Sequence, residues 1–198
     1  MNTKIIYITL LLSIALFACN NSDSTVNREK EETMVKLDVD YLTEGTLIAE
    51  TTFKVLSENL QNAMADGGVE NALKFCNVNA MPLTDSLSKH FNVQIKRTSH
   101  KVRNPNNAPS EQEQKVLDKY LAKGAVLKPI VKENENQSVS FYAPIVTKGL
   151  CVTCHGQVGT AITAKNYQMI QSLYREDKAV GFNVDELRGI WSITFKNK

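Results

Sequence analysis

Cys151-Val152-Thr153-Cys154-His155 puts two thiols and an imidazole within five consecutive residues, and no other stretch constrains this chain as strongly. Three residues is about one helical turn, so both sulfurs can project from one side. From there they can reach two vinyl groups along one edge of a porphyrin, and the next residue can swing its imidazole beneath the ring to the iron. The pattern is the C-x-x-C-H sequence of covalent haem attachment. It predicts one haem c, bonded through Cys151 and Cys154, with His155 as an axial iron ligand. Gly156 follows and would let the backbone come close to the ring.

Three other chemistries use closely spaced cysteines. A zinc site wants a second ligand pair at short spacing, which the sequence lacks, and adjacent Cys154 and His155 are awkward ligands for one tetrahedral ion. A thioredoxin-like redox pair is a better competitor, because a strand is expected just upstream over Phe141 to Val146. That fold faces its disulfide with a cis-proline, and no proline follows Pro144. A structural disulfide is the plainest alternative.

The N-terminus favours haem. Lys4 precedes a short apolar run, Ile5 to Ala18, which reads as a secretory signal over residues 1–18. A run of roughly 10–14 apolar residues is shorter than the ~20 a membrane-spanning helix needs. It ends in Leu16-Phe17-Ala18-Cys19, similar to the lipobox of bacterial lipoproteins, so Cys19 is the expected lipidation site. Residues 19–37 are polar and charged, too poor in apolar surface to fold, and read as a lipidated tether. Residues 38–198 are the size of one domain. The chain is thus expected to be exported and anchored by lipid to a bacterial membrane, facing the periplasm or the cell surface. The net charge of +2 gives no field that would suit nucleic acid.

Periodicity organises the domain. Ala49, Phe53, Leu56, Leu60 and Ala63/Met64 predict a helix from Tyr41 to Asp66, closed by Gly67-Gly68. A second helix carries Val69, Ala72/Leu73 and Cys76 on its apolar face. Pro82 should interrupt it before a short helix with Leu83, Leu87 and His90/Phe91. Val93 to Arg97 alternates like a strand, and Thr98 to Ser110 reads as an irregular loop. Ser110 and Glu113 form a capping box for a helix ending at Lys123-Gly124. Strands are expected at Val126 to Val131, Val139 to Val146 and Leu187 to Phe195, with a helix over Thr163 to Tyr174. Helices followed by antiparallel-compatible strands give an α+β class.

The second axial ligand is open at this level. Cys76, His90, His100, Met64, Met81 and Met169 are the candidates. Cys76 stands out because it faces inward and, once Cys19, Cys151 and Cys154 are assigned, is a lone thiol in an oxidising compartment. Buried cysteines also serve as inert small hydrophobes. His100, between Ser99 and Lys101, is expected at the surface.

A resemblance narrows this. Ala72-Leu73-Lys74-Phe75-Cys76, Arg97-Thr98-Ser99, Val102 through Pro109, Cys151 through Gly156, Lys178 through Phe182 and Leu187-Arg188-Gly189 occur in that order. Together they resemble a bacterial family of c-type haem domains with a PAS-like fold, long known as a domain of unknown function, found alone and in membrane sensor proteins. The resemblance implies an antiparallel sheet flanked by helices, with the haem against the sheet. It also implies His/Cys axial ligation, with Cys76 matching the family's cysteine ligand. A thiolate ligand would favour ferric iron and a low potential in a six-coordinate haem. Arg103, Arg97 and Lys101 are candidates for pairing with the haem propionates, Arg103 first because its fork matches a carboxylate. The alternative for Arg103 is to buttress the carbonyls of its own loop.

Two functional classes follow. One is redox sensing or electron transfer, in which no bonds are made. The other is a haem enzyme such as a peroxidase, which needs a distal acid/base group that no histidine here supplies convincingly. Non-enzymatic redox chemistry is therefore the expectation, with a redox or signalling protein as partner, and with CO or NO as ligands for ferrous iron that has lost Cys76.

Overall fold

The structure, a computed structural model, describes residues 22–196. The expected signal segment and Cys19 lie outside the described residues. The chain divides into two units, one ending at Lys36 and one spanning Leu37–Lys198. Among the described residues no helix is long and apolar enough to cross a membrane.

Helix α1 spans Ser22–His90. The stretch from Ser22 to Lys36, expected to lack regular structure, is helical. Its low apolar content forbids a core but not a helix: Arg28-Glu29-Lys30-Glu31-Glu32 are mostly good helix formers, and no Pro or Gly interrupts them. The break expected at Gly67-Gly68 is present. Both leave helical geometry, and Gly68 (φ 65°, ψ −160°) adopts a conformation that only glycine enters without strain. Asn71 Nδ2 bridges the break by donating to the Ala63 carbonyl at 2.9 Å. Pro82, by contrast, does not interrupt. The carbonyl it leaves unpaired is that of Val78, which is 64% exposed, so water can serve it.

Strands β1 (Val93–Thr98), β2 (Ile130–Glu133), β3 (Val139–Val146) and β4 (Leu187–Phe195) form one sheet in the order β1-β4-β3-β2, every pair antiparallel. β2 begins four residues later than its composition suggests, because Pro129 cannot donate to a ladder and Val126 is exposed. At the end of the β3–β4 ladder Ile145 pairs with Gly189 but Val146 pairs with Leu187, so Arg188 is an extra residue on β4. This is a β-bulge.

Each sheet face has its own cover. Ile48, Ala49, Leu56 and Ala80 of α1 pack on Val93, Ile95, Phe141, Trp191, Ile193 and Phe195. Phe53, expected in that stripe, is 55% exposed; Ile48, Thr52 and Leu56, four residues apart, make the inward line instead. On the opposite face Val116, Leu117 and Tyr120 of α2 (Glu111–Leu121) pack on Tyr142, Leu187 and Ile190. The expected capping box of α2 is formed, and its Glu113 also accepts a 2.7 Å bond from Lys96 Nζ. A third cluster, Leu73, Ile162, Ile170 and Tyr174, joins α1 to α4 (Ala164–Leu173) and includes Cys154. The fold class is α+β, an antiparallel sheet flanked by helices.

Candidate functional site

Cys151, Cys154 and His155 lie on α3 (Gly149–His155), the short helix that follows β3. Buried Thr147 fixes its entry, donating through Oγ1 to Asn183 O and exchanging backbone bonds with Asp185 and Glu186. Its exit is held more tightly. A helix C-terminus leaves carbonyls without partners, and here other parts of the chain supply the donors. Arg103 Nη2 donates to Cys154 O (2.7 Å), Phe182 N to His155 O (2.9 Å) and Gly181 N to Gly156 O (2.9 Å). Packing within the protein already requires Gly156: a Cβ there would sit 2.5 Å from Val152 O and 2.7 Å from Ala161 Cβ.

The same segment orients the histidine. His155 Nδ1 is 2.7 Å from the carbonyl oxygen of Ala179. A carbonyl can only accept, so Nδ1 carries the proton and Nε2 keeps its lone pair. Burial, reinforced by the charges of Arg188, Arg103 and Arg97, holds the imidazole well below its ordinary pKa and therefore neutral.

Cys76, from α1, joins this group, and all three thiols are free and half-buried. Burial raises the Cys76 pKa although Arg97 and Arg103 oppose it, and raises Cys154 to about 11, with Cys76 and Cys151 adding to the effect. The fold thus brings Cys76 to within electrostatic reach of Cys154. Of the other ligand candidates, His90 is exposed and Met64 and Met81 are half-buried on α1; Met169 packs in the cluster that contains Cys154. His100, expected at the surface, is half-buried with its ring 5.7 Å from that of Phe182.

The three cationic candidates differ. Arg103 is already engaged: it pairs with Asp177 through Nε (3.1 Å) and Nη2 (3.2 Å), and Nη2 also reaches Cys154 O and Ala179 O. These carbonyls belong to α3 and to the segment after α4, not to Arg103's own loop, and Nη1 is the part of the fork left outside these bonds. Lys101 Nζ lies 5.0 Å over the Phe182 ring, and the Arg97 guanidinium 5.9 Å over Trp191. Of the cations, Arg188, Arg103 and Arg97 are near enough to act on His155 of α3. Ala179, Phe182 and Arg188 fall within the segments that carry the family resemblance, but their residue types assign them no role, and Asp177 lies just outside those segments. Ala179 acts through its carbonyl, which no side-chain letter reports.

The Tll0287-like family model matches residues 20–196. The chain belongs to the Tll0287-like family. No curated protein matches it. Among solved structures, that of the cyanobacterial haem protein Tll0287 is similar at 22% identity with a TM-score of 0.54, covering 74% of this chain and 91% of that one. As a Tll0287-like chain it therefore shares that protein's fold.

Proposed function

We propose that this chain holds one covalent haem c, bonded to Cys151 and Cys154, and uses it for redox sensing or electron transfer at a membrane surface. The observation that carries the reading is the His155 Nδ1–Ala179 O bond, which fixes the tautomer a metal-binding imidazole needs and frees Nε2. Cys76 would be the second axial ligand. Supporting this, the two thiols lie on one turn of α3, the third thiol is in reach of them, and buried polar atoms nearby (His100 Nδ1 and Arg188 Nε) have no partner. Those orphaned atoms fit a polar group that the protein itself does not provide. The cyanobacterial relative of the same fold is a haem protein.

Competing uses of the cysteines fit less well. The sheet is antiparallel throughout and offers no parallel strand–helix–strand unit for a thioredoxin-like active site. Among the described residues no three His, Cys, Asp or Glu side chains gather to hold a metal ion by themselves.

When bound, haem would supply a reversible one-electron couple, and a Cys76 thiolate would bias it toward ferric iron and a low potential. The chain's own contributions are to hold His155 neutral, to keep its Nδ1–H donated to Ala179 O and to set Arg188, Arg103 and Arg97 near it. Lipidation of Cys19 would tether the domain to a bacterial membrane, periplasmic or cell-surface, where a redox or signalling protein would be its partner. Release of Cys76 on reduction would open iron to CO or NO.

A pyridine haemochrome spectrum with a haem-stained denaturing gel tests the reading. Protein made in a host equipped for cytochrome c maturation should stain and give a c-type spectrum, and the Cys151→Ala/Cys154→Ala double variant should give neither. Absence of stain in the unsubstituted protein would refute the proposal.

A further inference from the structure

Two cations at the site lack the compensation Arg103 has. Arg97 and Arg188 are half-buried, and the protein packed around them lowers the pKa of both, Arg188 to about 10. No carboxylate forms an ion pair with either among the described residues. A guanidinium removed from water without an anion is costly, so such a pair marks an anion site.

Arg188 is there because of the bulge. On a regular β4, Leu187 and Ile190 would point to opposite faces, yet both pack on the α2 side. The extra residue that reconciles them is Arg188, and a bulge re-aims the side chain it carries. Arg188 is thereby set among Arg97, Arg103, Asp177 and Cys151, its guanidinium 5.2 Å over Phe182, whose ring stands edge-on to His155 at 6.4 Å. Nη1 donates to Lys101 O (3.1 Å), while Nε is buried without a partner. His100 Nδ1, its ring also against Phe182, is likewise unpartnered. Ser99 Oγ donates to Arg188 O at 2.5 Å, and a Cβ on Gly189 would strike Thr98, so the β1–β4 backbones are locked around the bulge.

We infer that Arg188 and Arg97, with His100 beside them, form a built site for a paired carboxylate group, and that this site receives the propionate edge of the haem. The assignment rests on the haem reading above. It separates the roles of the arginines, with Arg103 holding α3 and Arg188 taking the anion. Two carboxylates seated on two guanidinium groups would lose most of their field at the iron, and they would stay ionised at lower pH than free propionates.

Redox titration of the matured full-length protein tests this, with a haem-stained denaturing gel as the first arm. Thioether links do not depend on Arg188, so wild type, Arg188→Gln, Arg188→Lys and Arg97→Gln should all stain; loss of stain in wild type would fail the haem reading itself. In Arg188→Gln the unneutralised carboxylates should favour ferric iron at least threefold over wild type at fixed potential. Its midpoint should also acquire a pH dependence between about 5 and 8 that wild type lacks, as the carboxylate pKa rises toward neutrality. Arg188→Lys should restore most of the wild-type behaviour. Should Arg188→Gln fail to accumulate folded, Arg97→Gln carries the same expectation, because its guanidinium lies over Trp191 and forms no ion pair. Wild-type potential and pH dependence in stained, folded Arg188→Gln, or in Arg97→Gln as its substitute, would overturn the assignment.

Discussion

Asp177 Oδ1 accepts both from Arg103 Nε (3.1 Å) and from the backbone N–H of Ala179 (2.9 Å). One carboxylate therefore positions the arginine that caps α3 and the residue whose carbonyl holds His155. The pair is nearly closed to solvent, with side-chain exposures of 11% for Arg103 and 3% for Asp177. Asp177→Asn should cost about 3 kcal/mol, because it leaves a buried guanidinium without its anion. Denaturant unfolding reads the loss. The holo-protein should also show a shifted midpoint potential, since the Ala179 carbonyl would no longer be held under His155 Nδ1. Unchanged stability and potential would remove Asp177 from the support of the site.

Cys76 makes a spectroscopic prediction. The wild-type ferric protein should be low-spin and six-coordinate, and Cys76→Ala should convert it to a five-coordinate or water-bound form while keeping the covalent haem. Its reduced form should take up CO faster than wild type. A Cys76→Ala protein with the wild-type absorption spectrum would mean that another side chain holds the position.

Glu113 ties α2 to β1 and gives a pH dependence away from the haem site. Burial alone would raise its pKa, but bonds from Lys96, the Ser110 N–H and Ser192, together with the Lys96 charge, hold it below the ordinary 4.5. The folded state thus binds the proton less readily than the unfolded chain, and stability falls as pH drops below about 4.5 and through the folded value. Glu113→Gln should destabilise by about 1–3 kcal/mol near neutral pH. The difference from wild type should shrink as the solution is acidified toward pH ~3, where the wild-type carboxylate is lost as well. A gap that stays constant over that range would show that Glu113 acts by shape and not by charge.

Gly156→Ala tests whether tight packing, and not conformational freedom, fixes that glycine. Its φ of −76° suits alanine, yet the new methyl would meet Val152 O and Ala161 Cβ inside contact distance. Overpacking of this kind costs about 1–3 kcal/mol, and thermal unfolding of the variant should show it. An unchanged melting temperature would mean that the turn after α3 can shift without penalty.

Much of the scaffold is legible in the sequence because it obeys local rules. The Ser110–Glu113 box, the Gly67-Gly68 break and the span of β3 and β4 each follow from a few residues whose chemistry allows one outcome. Where local rules fail, solvent or context decides. Pro82 sits in an unbroken helix because its orphaned carbonyl faces water, and Phe53 lies outside the core because the inward line runs through Thr52. In the site, Cys151, Cys154, His155 and Cys76 are recognisable by type, because the proposed haem chemistry would lie in their side chains. Ala179 and Arg188 lie in segments that carry the resemblance, but their roles are not legible there: Ala179 contributes a carbonyl, and the direction of Arg188 depends on a bulge that only strand pairing creates. Arg103 stands out in its loop, but its partner Asp177 lies 74 residues away, a separation no local pattern spans.

Intact-mass spectrometry of the denatured, matured protein bears most directly on the central claim. The mass should exceed that of the processed polypeptide and its lipid by one haem, and the excess should vanish when Cys151 and Cys154 are both replaced by alanine. A denatured wild-type chain that weighs only polypeptide plus lipid, from a host shown to attach haem to another cytochrome c, would contradict the account.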